Sequence, residues 1–448
     1  MTKRLLTACL LLGCLNIASG QSRIINTIAG VPGTDAFNGD GPALTTEFNF
    51  PEGICLDASG ALYIADRQNN RVRKMTASGI TTVAGSGGYG YTGDEGQATD
   101  ATLEFPEAVS VDAAGNIYIA DANNNVVRKV DAAGVIHTIA GNGTMGYNGD
   151  GIAATAASLS TPFSVCTDAA GDVYIADFGN SRIRKVTPEG VISTVAGDSV
   201  YGYNGDGGMA TKAELKFPSA VLLDAAGDLI IADYGNSRIR KITPAGIIST
   251  IAGTGSAGYT GDGGPATAAT LNAPVALALD TRGNLYIADD GNNNVRMINT
   301  ADTITLVAGT GVYDFTGDGG PATAATLRLP EGVAADPFGR VYITDGQTFT
   351  IREVYDPLTL STPHTPVVDG AMNIFPNPSS GQVTVQIPAA LPGGTLTIYD
   401  ATGQLVKSVR LSGSATRVDI SGLADGVYFA TYNMAAIRYQ GTFTKVQK

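Results

Sequence analysis

The sequence predicts an all-β protein, a six-bladed β-propeller closed by an N-terminal strand and followed by a small antiparallel β-sandwich. One stretch recurs six times at a nearly constant spacing, and a fixed period over six units marks a repeat architecture. The repeats open at Pro51, Pro106, Pro162, Pro218, Pro274 and Pro330, and their second apolar runs close at Asp66, Asp121, Asp177, Asp233, Asp289 and Asp345. Glycine is abundant (58 residues) and charged residues are few (15%), which favours a turn-rich β protein.

The first twenty residues are typical of a secretory signal peptide. Lys3 and Arg4 precede an apolar run from Leu5, and residues 18–20 (Ala-Ser-Gly) offer a small-residue cleavage site. The alternative that residues 11–14 form a lipoprotein signal with an acylated Cys14 stays open, although leucine beside the glycine is unusual there. No later apolar run is long enough for a transmembrane helix.

The charge balance argues against nucleic acid and anionic lipid as partners. The net charge is −13, and removal of the two cationic signal residues makes the mature chain −13 − 2 = −15. Such an acidic surface repels phosphate groups.

Each repeat divides into four short strands, as the fourth repeat illustrates. Ser219 to Leu223 follows a proline, which a strand tolerates at its start. Asp228 to Ala232, Arg238 to Ile242 and Ile247 to Ala252 follow in turn, separated by turn residues. Four antiparallel strands repeated six times describe a six-bladed propeller. Because each blade must bury both faces, we expect the array to be stable only as a closed ring.

The two ends of the repeat series predict how the ring closes. Ile24 to Ala29 has the pattern of a fourth strand but precedes the first repeat, and no fourth strand follows Arg352 in the sixth. We therefore expect Ile24 to Ala29 to pair with the strand near Thr350 to Val354, which removes two open sheet edges. The propeller is assigned to residues 21–356.

The repeat pattern resembles a known family. The pattern P-x-x-[IVL]…D-x-x-G-x-[IVL]-Y-I-A-D…N-x-R-[IV]-R-K, present in Pro162 to Lys185, is similar to the NHL repeat, and the resemblance covers roughly residues 24 to 356. It implies a six-bladed propeller. Most members bind proteins, nucleic acids or glycans, and a few related propellers are lyases or lactonases. The sixth unit departs most, because Gln347, Thr348 and Phe349 replace the asparagine-rich turn.

Residues present in all six repeats are most simply explained by the blade itself. An arginine follows each repeat aspartate by seven residues, which in a hairpin places a guanidinium near a carboxylate. The aspartates of the G-D-G loops, such as Asp206, are expected to bond to their own backbone. Calcium is the alternative for these loops, but one carboxylate is few for a cation that takes six to eight oxygens.

Aromatic residues that vary between repeats are predicted ligand contacts. The loops after second and fourth strands emerge on one face, because successive strands alternate in direction. Tyr89, Tyr201 and Tyr313 lie in alternate G-D-G loops, and Phe178 and Tyr234 follow a repeat aspartate. Aromatic rings offer a large apolar area with a polar tip, which suits contact with sugar or protein. The alternative is that these are ordinary exposed side chains.

Three glutamates form a second candidate site on the same face. Glu52, Glu107 and Glu331 each follow a repeat proline, in blades that are consecutive around a closed ring. They are predicted to bind a cation, with calcium as the possible cofactor, and the alternative is that they are simply solvated.

The sequence favours a protein without catalytic activity and leaves one enzymatic alternative open. Catalytic propellers usually place a metal or a cluster of His, Asp and Glu in the central channel. The chain has two histidines: His137 falls in a fourth strand and His364 lies beyond the propeller, so neither a zinc site nor a Ser/His/Asp set can be assembled. The alternative is a calcium-dependent lactonase-like or lyase-like propeller enzyme that uses the three glutamates.

The last part of the chain has a different pattern. Residues 357–371 are rich in Pro, Thr and Ser and are predicted to be a linker. Residues 372–448 contain short strands typical of a small sandwich. The motifs FPNPSSG, IYDATGQLV and LADGVYF, in that order, resemble the C-terminal sorting domain (type A) of the type IX secretion system. That resemblance implies the type IX machinery as a partner and export across the outer membrane of a Gram-negative bacterium.

Together these features predict a secreted or cell-surface binding propeller. Its ligand is expected to be an extracellular glycan or protein, bound without catalysis and without a required cofactor, and the protein is expected to be a monomer.

Overall fold

The computed structural model describes residues 23–357, 372–386, 395–399, 405–411, 415–434 and 437–446. Within them the chain forms six propeller blades followed by two small sheets, so the predicted all-β fold class is confirmed. The predicted signal peptide and all but the first residue of the predicted linker lie outside the described residues.

The first five blades each consist of four consecutive antiparallel strands. Blade 1 comprises Pro51–Leu56, Leu62–Asp66, Arg71–Thr76 and Gly79–Ala84; blade 2 Pro106–Val111, Ile117–Asp121, Val126–Val130 and Ile136–Ala140; blade 3 Pro162–Thr167, Val173–Asp177, Arg182–Val186 and Val191–Ala196; blade 4 Pro218–Leu223, Leu229–Asp233, Arg238–Ile242 and Ile248–Ala252; blade 5 Pro274–Leu279, Leu285–Asp289, Asn294–Ile298 and Ile304–Ala308. Blade 3 gains a short fifth strand, Ile152–Ala153.

Blade 6 combines the two ends of the propeller, as the sequence predicts. Its first three strands are Pro330–Ala335, Val341–Asp345 and Thr350–Tyr355, and its fourth is Ile24–Ala29. The closing strand pairs antiparallel with Thr350–Tyr355, from Ile24 opposite Tyr355 to Ala29 opposite Ile351. The ring is therefore closed by main-chain hydrogen bonds between distant parts of the sequence.

The long loop before each blade covers the outer edge of that blade. In blade 1, for example, Gly41 and Ile80 exchange two backbone hydrogen bonds of 3.1 and 2.8 Å. Equivalent bridges in blades 2 to 6 join Gln97 to Val135, Ile152 to Ile192, Met209 to Ile247, Pro265 to Thr303 and Pro321 to Ile24. Covered edges cannot pair with another chain, so the architecture limits edge-to-edge aggregation.

Single 3-10 turns complete the loops. They are Ala43–Thr45, Arg67–Asn69, Ala154–Ala156, Phe178–Asn180, Ala210–Lys212, Tyr234–Asn236, Ala266–Ala268, Asp290–Asn292, Ala322–Ala324 and Gly346–Thr348.

The hydrophobic core of the propeller lies between neighbouring blades. Successive side chains of a strand point to opposite faces, so each second strand contributes to two interfaces. In blade 4, Ile230 packs with Ile287 of blade 5, whereas Ile231 packs with Ala176 of blade 3. Because every blade needs both neighbours to bury its two faces, stability depends on the complete ring.

Each recurring arginine bridges two aspartates. Arg240 is fully buried; its Nη1 lies 3.1 Å from Asp233 Oδ2 and its Nη2 lies 2.7 Å from Asp206 Oδ1. The other five blades repeat this arrangement. The expectation that the G-D-G aspartates bond to their own backbone is wrong, because the loop folds back over the blade. Asp206 also accepts hydrogen bonds from Thr250 N and Tyr203 Oη.

The C-terminal strands form two sheets around one core. The first sheet contains Asn373–Phe375, Gln382–Gln386 and Ala415–Asp419, and the second contains Leu405–Arg410, Thr395–Tyr399, Gly426–Met434 and Ile437–Lys445. Buried side chains from both sheets, including Val383, Val385, Leu396, Ile398 and Phe443, make up one apolar cluster, as in a small sandwich. Among the described residues, no helix is long and apolar enough to cross a membrane.

Candidate ligand site at the mouth of the central channel

The first strands of all six blades line a cavity of about 180 Å³ on the propeller axis. One residue from each blade stands directly after the repeat proline and contributes to the wall. We call these six residues the inner ring: Glu52, Glu107, Phe163, Ser219, Val275 and Glu331. The ring is acidic in blades 6, 1 and 2, and it is aromatic, small or apolar in blades 3, 4 and 5.

Local backbone geometry brings these side chains to the cavity. The residue before each repeat proline has a left-handed conformation, for example Phe217 with φ of 53°. The repeat aspartate fixes the backbone just before the first strand, since Asp233 Oδ1 accepts a 2.8 Å hydrogen bond from Lys216 N. Strand pairing then skips one residue, because Pro218 lies opposite Asp233 and Ala220 opposite Ala232. Irregularities of this kind re-aim side chains next to functional sites.

A second set of six residues lies beside the inner ring. Each follows a repeat aspartate, and we call the set the outer ring: Arg67, Ala122, Phe178, Tyr234, Asp290 and Gly346. Five of them open a 3-10 turn. Gly346 leaves space for its neighbour, because a Cβ there would lie 2.8 Å from Glu331 Cγ.

The acidic sector consists of the three predicted glutamates, Arg67 and Asp290. Arg67 Nε donates a 2.8 Å hydrogen bond to Glu107 Oε1 and lies 3.7 Å from Glu52 Oε1. Glu52 and Glu107 are 6% and 5% exposed. Glu52 shares a hydrogen bond with Glu331, so one carboxyl faces another.

Burial and mutual repulsion raise the pKa values of these carboxyl groups. For Glu331, burial raises the pKa to about 8, and the nearby charges of Asp290 and Glu107 add to the effect. Burial, followed by repulsion from Glu331 and Glu107, raises the pKa of Glu52 well above its usual value. Burial also raises the pKa of Asp290, to about 7, with a contribution from Asp289. The sector therefore holds protons at neutral pH that solvated carboxyl groups would have lost.

Glu331→Gln is expected to alter the pH dependence of stability. The pKa of Glu331 is about 8 in the folded chain, against about 4.3 in an unfolded one. Between these values the folded protein holds a proton that the unfolded chain has released, so stability falls as pH rises from ~4 to ~8, by at most about 1.4 kcal/mol per pH unit. Urea unfolding should show the variant to be more stable than the wild type at pH 8–9 and equal to it at about pH 4 and below. Asp100→Asn, which removes a carboxylate at an exposed position, is the control and should leave the pH profile unchanged. Parallel profiles for the wild type and Glu331→Gln would contradict the burial argument.

The aromatic sector gathers five rings from blades 3 and 4. Phe178 stacks on Phe163 (centroids 5.1 Å apart, 26° between planes) and on Phe217 (5.0 Å, 24°). Tyr234 lies 6.1 Å from Phe178, and Tyr201 lies 5.2 Å from Phe217. We call these five residues the aromatic cluster. Blade 3 stands opposite blade 6 in a six-membered ring, so the cluster and the acidic sector occupy opposite parts of the mouth.

The structure divides the five predicted aromatic contacts. Phe178, Tyr234 and Tyr201 belong to the aromatic cluster. Tyr89 instead packs edge-on against Phe105 (6.2 Å), and Tyr313 lies against Arg328 (5.0 Å) and donates a hydrogen bond to Gln347. These two side chains are 68% and 45% exposed on their loop tips.

Sequence reasoning missed four side chains of the mouth as site residues. Phe163 and Phe217 belong to the aromatic cluster, and Arg67 and Asp290 belong to the acidic sector. Comparison of the same position in all six repeats could have found Phe163, Arg67 and Asp290, since each departs there from its equivalents, whereas Phe217 has phenylalanine equivalents in blades 1 and 2. Phe163, for instance, stands where three blades carry glutamate.

The prediction of a cation at Glu52, Glu107 and Glu331 stays untested. Among the described residues, no three His, Cys, Asp or Glu side chains are arranged as ligands of a metal ion. His137 lies on the fourth strand of blade 2 and contacts Glu95 and Asp131 rather than the cavity.

Comparison with known families agrees with the two-part architecture. Residues 48–75 match the NHL repeat, residues 86–148 match the teneurin NHL domain, and residues 373–444 match the secretion system C-terminal sorting domain. The fold and these matches define the class, which is that of NHL-repeat six-bladed propellers. Within it, this chain is an NHL-repeat propeller that carries a C-terminal sorting domain of the type IX secretion system.

Relatives of known sequence match part of the chain. The chain is 28% identical over 285 residues to SUPPRESSOR OF QUENCHING 1, a chloroplastic protein of Arabidopsis thaliana, covering 60% of this chain and 26% of that protein. It is 30% identical over 230 residues to teneurin-1 of Gallus gallus, covering 45% of this chain and 8% of that protein. The chain thus spans about a quarter of the first relative and less than a tenth of the second.

Solved structures share the fold at low sequence identity. A protein of unknown function from Bacteroides thetaiotaomicron has a TM-score of 0.56 at 18% identity, covering 75% of this chain and 76% of that one. An auxiliary nutrient binding protein from the same organism has a TM-score of 0.56 at 14% identity, covering 74% and 76%. At such identities the likeness is one of fold.

Proposed function

We propose that the protein is a monomeric, noncatalytic glycan-binding propeller that takes its ligand at the channel mouth. The observation that carries this proposal is the aromatic cluster standing opposite hydrogen-bonding carboxyl groups at the mouth of one cavity, whose wall includes Phe163 together with Glu52, Glu107 and Glu331. The aromatic cluster, in which Phe178 holds Phe163 and Phe217 by stacking, offers an apolar surface that suits the face of a sugar ring. Carboxyl groups such as Glu52 can accept or donate hydrogen bonds to hydroxyl groups.

The location of the protein supports an extracellular ligand. The sorting domain implies export by the type IX secretion machinery to the cell surface or the medium. The Bacteroides thetaiotaomicron propeller that shares this fold is an auxiliary nutrient binding protein. An exported propeller with a shaped, partly apolar cavity is suited to capture a saccharide.

Loss of the aromatic cluster is expected to abolish glycan binding. A glycan array probed with the full chain would identify a saccharide, and calorimetry would give its affinity. Phe178→Ala and Tyr234→Ala should each weaken binding at least tenfold, which corresponds to about 1.4 kcal/mol. Both rings are half-buried, so thermal melts monitored by circular dichroism should accompany each measurement.

The loop-tip tyrosines provide matched controls. Tyr89→Ala and Tyr313→Ala remove an aromatic ring of the same face outside the aromatic cluster. They should leave glycan affinity within about twofold. If these two variants lost binding while Phe178→Ala kept it, the loop tips would be the contact surface, and a protein ligand would replace the glycan.

The enzymatic alternative would use the same cavity. Carboxyl groups with raised pKa, such as Glu331 and Asp290, are candidates for proton transfer in a cleft. A calcium-dependent lactonase or lyase is therefore the second candidate function. A screen of lactone and lyase substrates with and without a chelator tests it, and activity that the chelator removes would overturn the noncatalytic proposal.

A further inference from the structure

Among the described residues, carboxyl groups outnumber cationic side chains around the cavity. Glu52, Glu107, Glu331 and Asp290 supply four carboxyl groups, and Arg67 is the one cationic side chain among them. Buried charges are normally paired, because unpaired ones are costly to remove from water. An excess of acidic groups around a cavity therefore favours a ligand that carries a positive charge.

Arg67 does not neutralise Glu52. Its Nε hydrogen-bonds to Glu107 at 2.8 Å and remains 3.7 Å from Glu52 Oε1, beyond hydrogen-bond distance. Glu52 is 94% buried, and its hydrogen-bond partner is a second carboxyl group, Glu331. The Glu52–Glu331 pair can avoid repulsion by sharing a proton, or by accepting a cation from outside.

The geometry favours an organic cation over a metal ion. The described carboxylates are not arranged as a metal's ligand set, and the Arg67 guanidinium already occupies the space between Glu52 and Glu107. The rings of Phe163, Phe178 and Tyr234 lie in the same mouth and provide apolar surface for the body of an organic ligand. The carboxyl groups thus favour a cationic group, and the rings favour an organic molecule that carries it.

The volume limits the size of what enters. Pockets for drug-sized ligands measure about 300–1,000 Å³, and the cavity of about 180 Å³ lies below that range. It suits a single small ring with its substituents, which is either a free monosaccharide or the terminal unit of a longer chain.

We propose that the channel mouth selects amino sugars, with the protonated amine against the Glu52–Glu331 pair and the ring against the aromatic cluster. This inference rests on the proposed glycan-binding function and names its ligand class. The ammonium group takes the place of the proton shared by the two glutamates, so that binding releases a proton.

The titration of the whole sector governs the proton release. The ionisable groups that face the pair are Glu107, Asp290, Arg67 and Tyr234. At pH 6.5 the amine is protonated and the pair holds a proton. Binding at this pH should therefore release up to one proton, measured as the dependence of calorimetric enthalpy on the ionisation enthalpy of the buffer.

A matched pair of saccharides tests the ligand class. Glucosamine oligomers and their N-acetylated forms share the same ring and differ in the cationic amine. Calorimetry with the full chain at pH 6.5 should give at least tenfold tighter binding of the amine form. Glu52→Gln and Glu331→Gln should each reduce that preference to under about threefold and abolish the proton release.

Controls separate this inference from the proposed function. Glu95→Gln removes the same charge at an exposed site and should keep the full preference. Equal binding of both forms, or a preference that survives Glu52→Gln, would overturn the amine selectivity. If another glycan bound in a Phe178-dependent manner and neither glucosamine form did, amino sugars would be wrong and glycan binding at the mouth would stand. If no saccharide bound, both proposals would be overturned.

Discussion

Removal of residues 21–30 is expected to abolish cooperative folding of the propeller. The strand Ile24–Ala29 is separated in sequence from the other three strands of blade 6 by the five other blades, and Ile25 and Ala29 within it are fully buried. Its loss would expose the edge of Thr350–Tyr355 and one face of the core between blades 5 and 6. Because each blade is stabilised by its neighbours, the damage should spread around the ring. Thermal unfolding followed by circular dichroism should lose its sharp transition, and size-exclusion chromatography should show aggregates.

A rearranged chain provides the control. Residues 24–30 can be placed after Tyr355 through a three-residue turn copied from Pro244 to Gly246, which in blade 4 joins Thr243 to Ile247. The pairing with Thr350–Tyr355 then becomes an ordinary hairpin. This variant should recover the cooperative transition. A truncated protein that melted like the full chain would show that the ring does not need its closing strand.

Comparison between repeats made the ring predictable from the sequence. Five repeats contain four strands and the sixth contains three. The segment Ile24–Ala29, which belongs to no other repeat, could therefore be assigned as the missing fourth strand of the sixth. The pairing follows from the fixed order of strands in a blade. The contacts of the G-D-G aspartates were not predictable in this way, because Asp206 meets Arg240 only when the loop folds back across the blade.

The candidate site was predictable in part. Glu52, Glu107 and Glu331 stand out because they differ from the residues at the same position of other repeats, and the ring order places their blades side by side. The partner of Glu107 was not predictable, since Arg67 belongs to the neighbouring blade and its reach depends on how the blades pack. The proton held by Glu331 depends on burial, which the sequence alone does not give.

The aromatic cluster was also predictable only in part, because it depends on contacts between neighbouring blades. The sequence identified Phe178 and Tyr234 as unusual in their position, but Phe217 stands before a repeat proline, where blades 1 and 2 also carry phenylalanine. Only the packing of blade 3 against blade 4 brings Phe217 onto Phe178. A residue that is ordinary in its own repeat can thus join a site through its neighbour.

Replacing Arg240 by methionine is expected to lower the free energy of unfolding by about 3–5 kcal/mol. The side chain is fully buried and holds both Asp233 and Asp206. Methionine would leave the buried carboxylate of Asp233 without its cation, and breaking a buried ion pair from one side costs this much. Urea unfolding of the full chain, read from the midpoint at constant slope, measures the loss.

Arg238→Met is the matched control for this experiment. Arg238 lies two residues earlier on the same strand, stacks on Tyr203 with its guanidinium carbon 3.5 Å from the ring centroid, and is partly exposed. Only three of the six repeats carry arginine at that position, whereas all six carry the equivalent of Arg240. The control should therefore lose no more than about 1 kcal/mol, the usual range for an exposed cation–π contact.

A double variant separates the lost ion pair from lost packing. Asp233→Asn removes the negative charge but keeps Oδ1 as an acceptor for Lys216 N. Combined with Arg240→Met, it leaves no unpaired charge on the second strand, so the double variant should be more stable than Arg240→Met alone. If the two changes were simply additive, the stabilisation would come from the packing of the arginine stem, and the bridge between the two aspartates would contribute little.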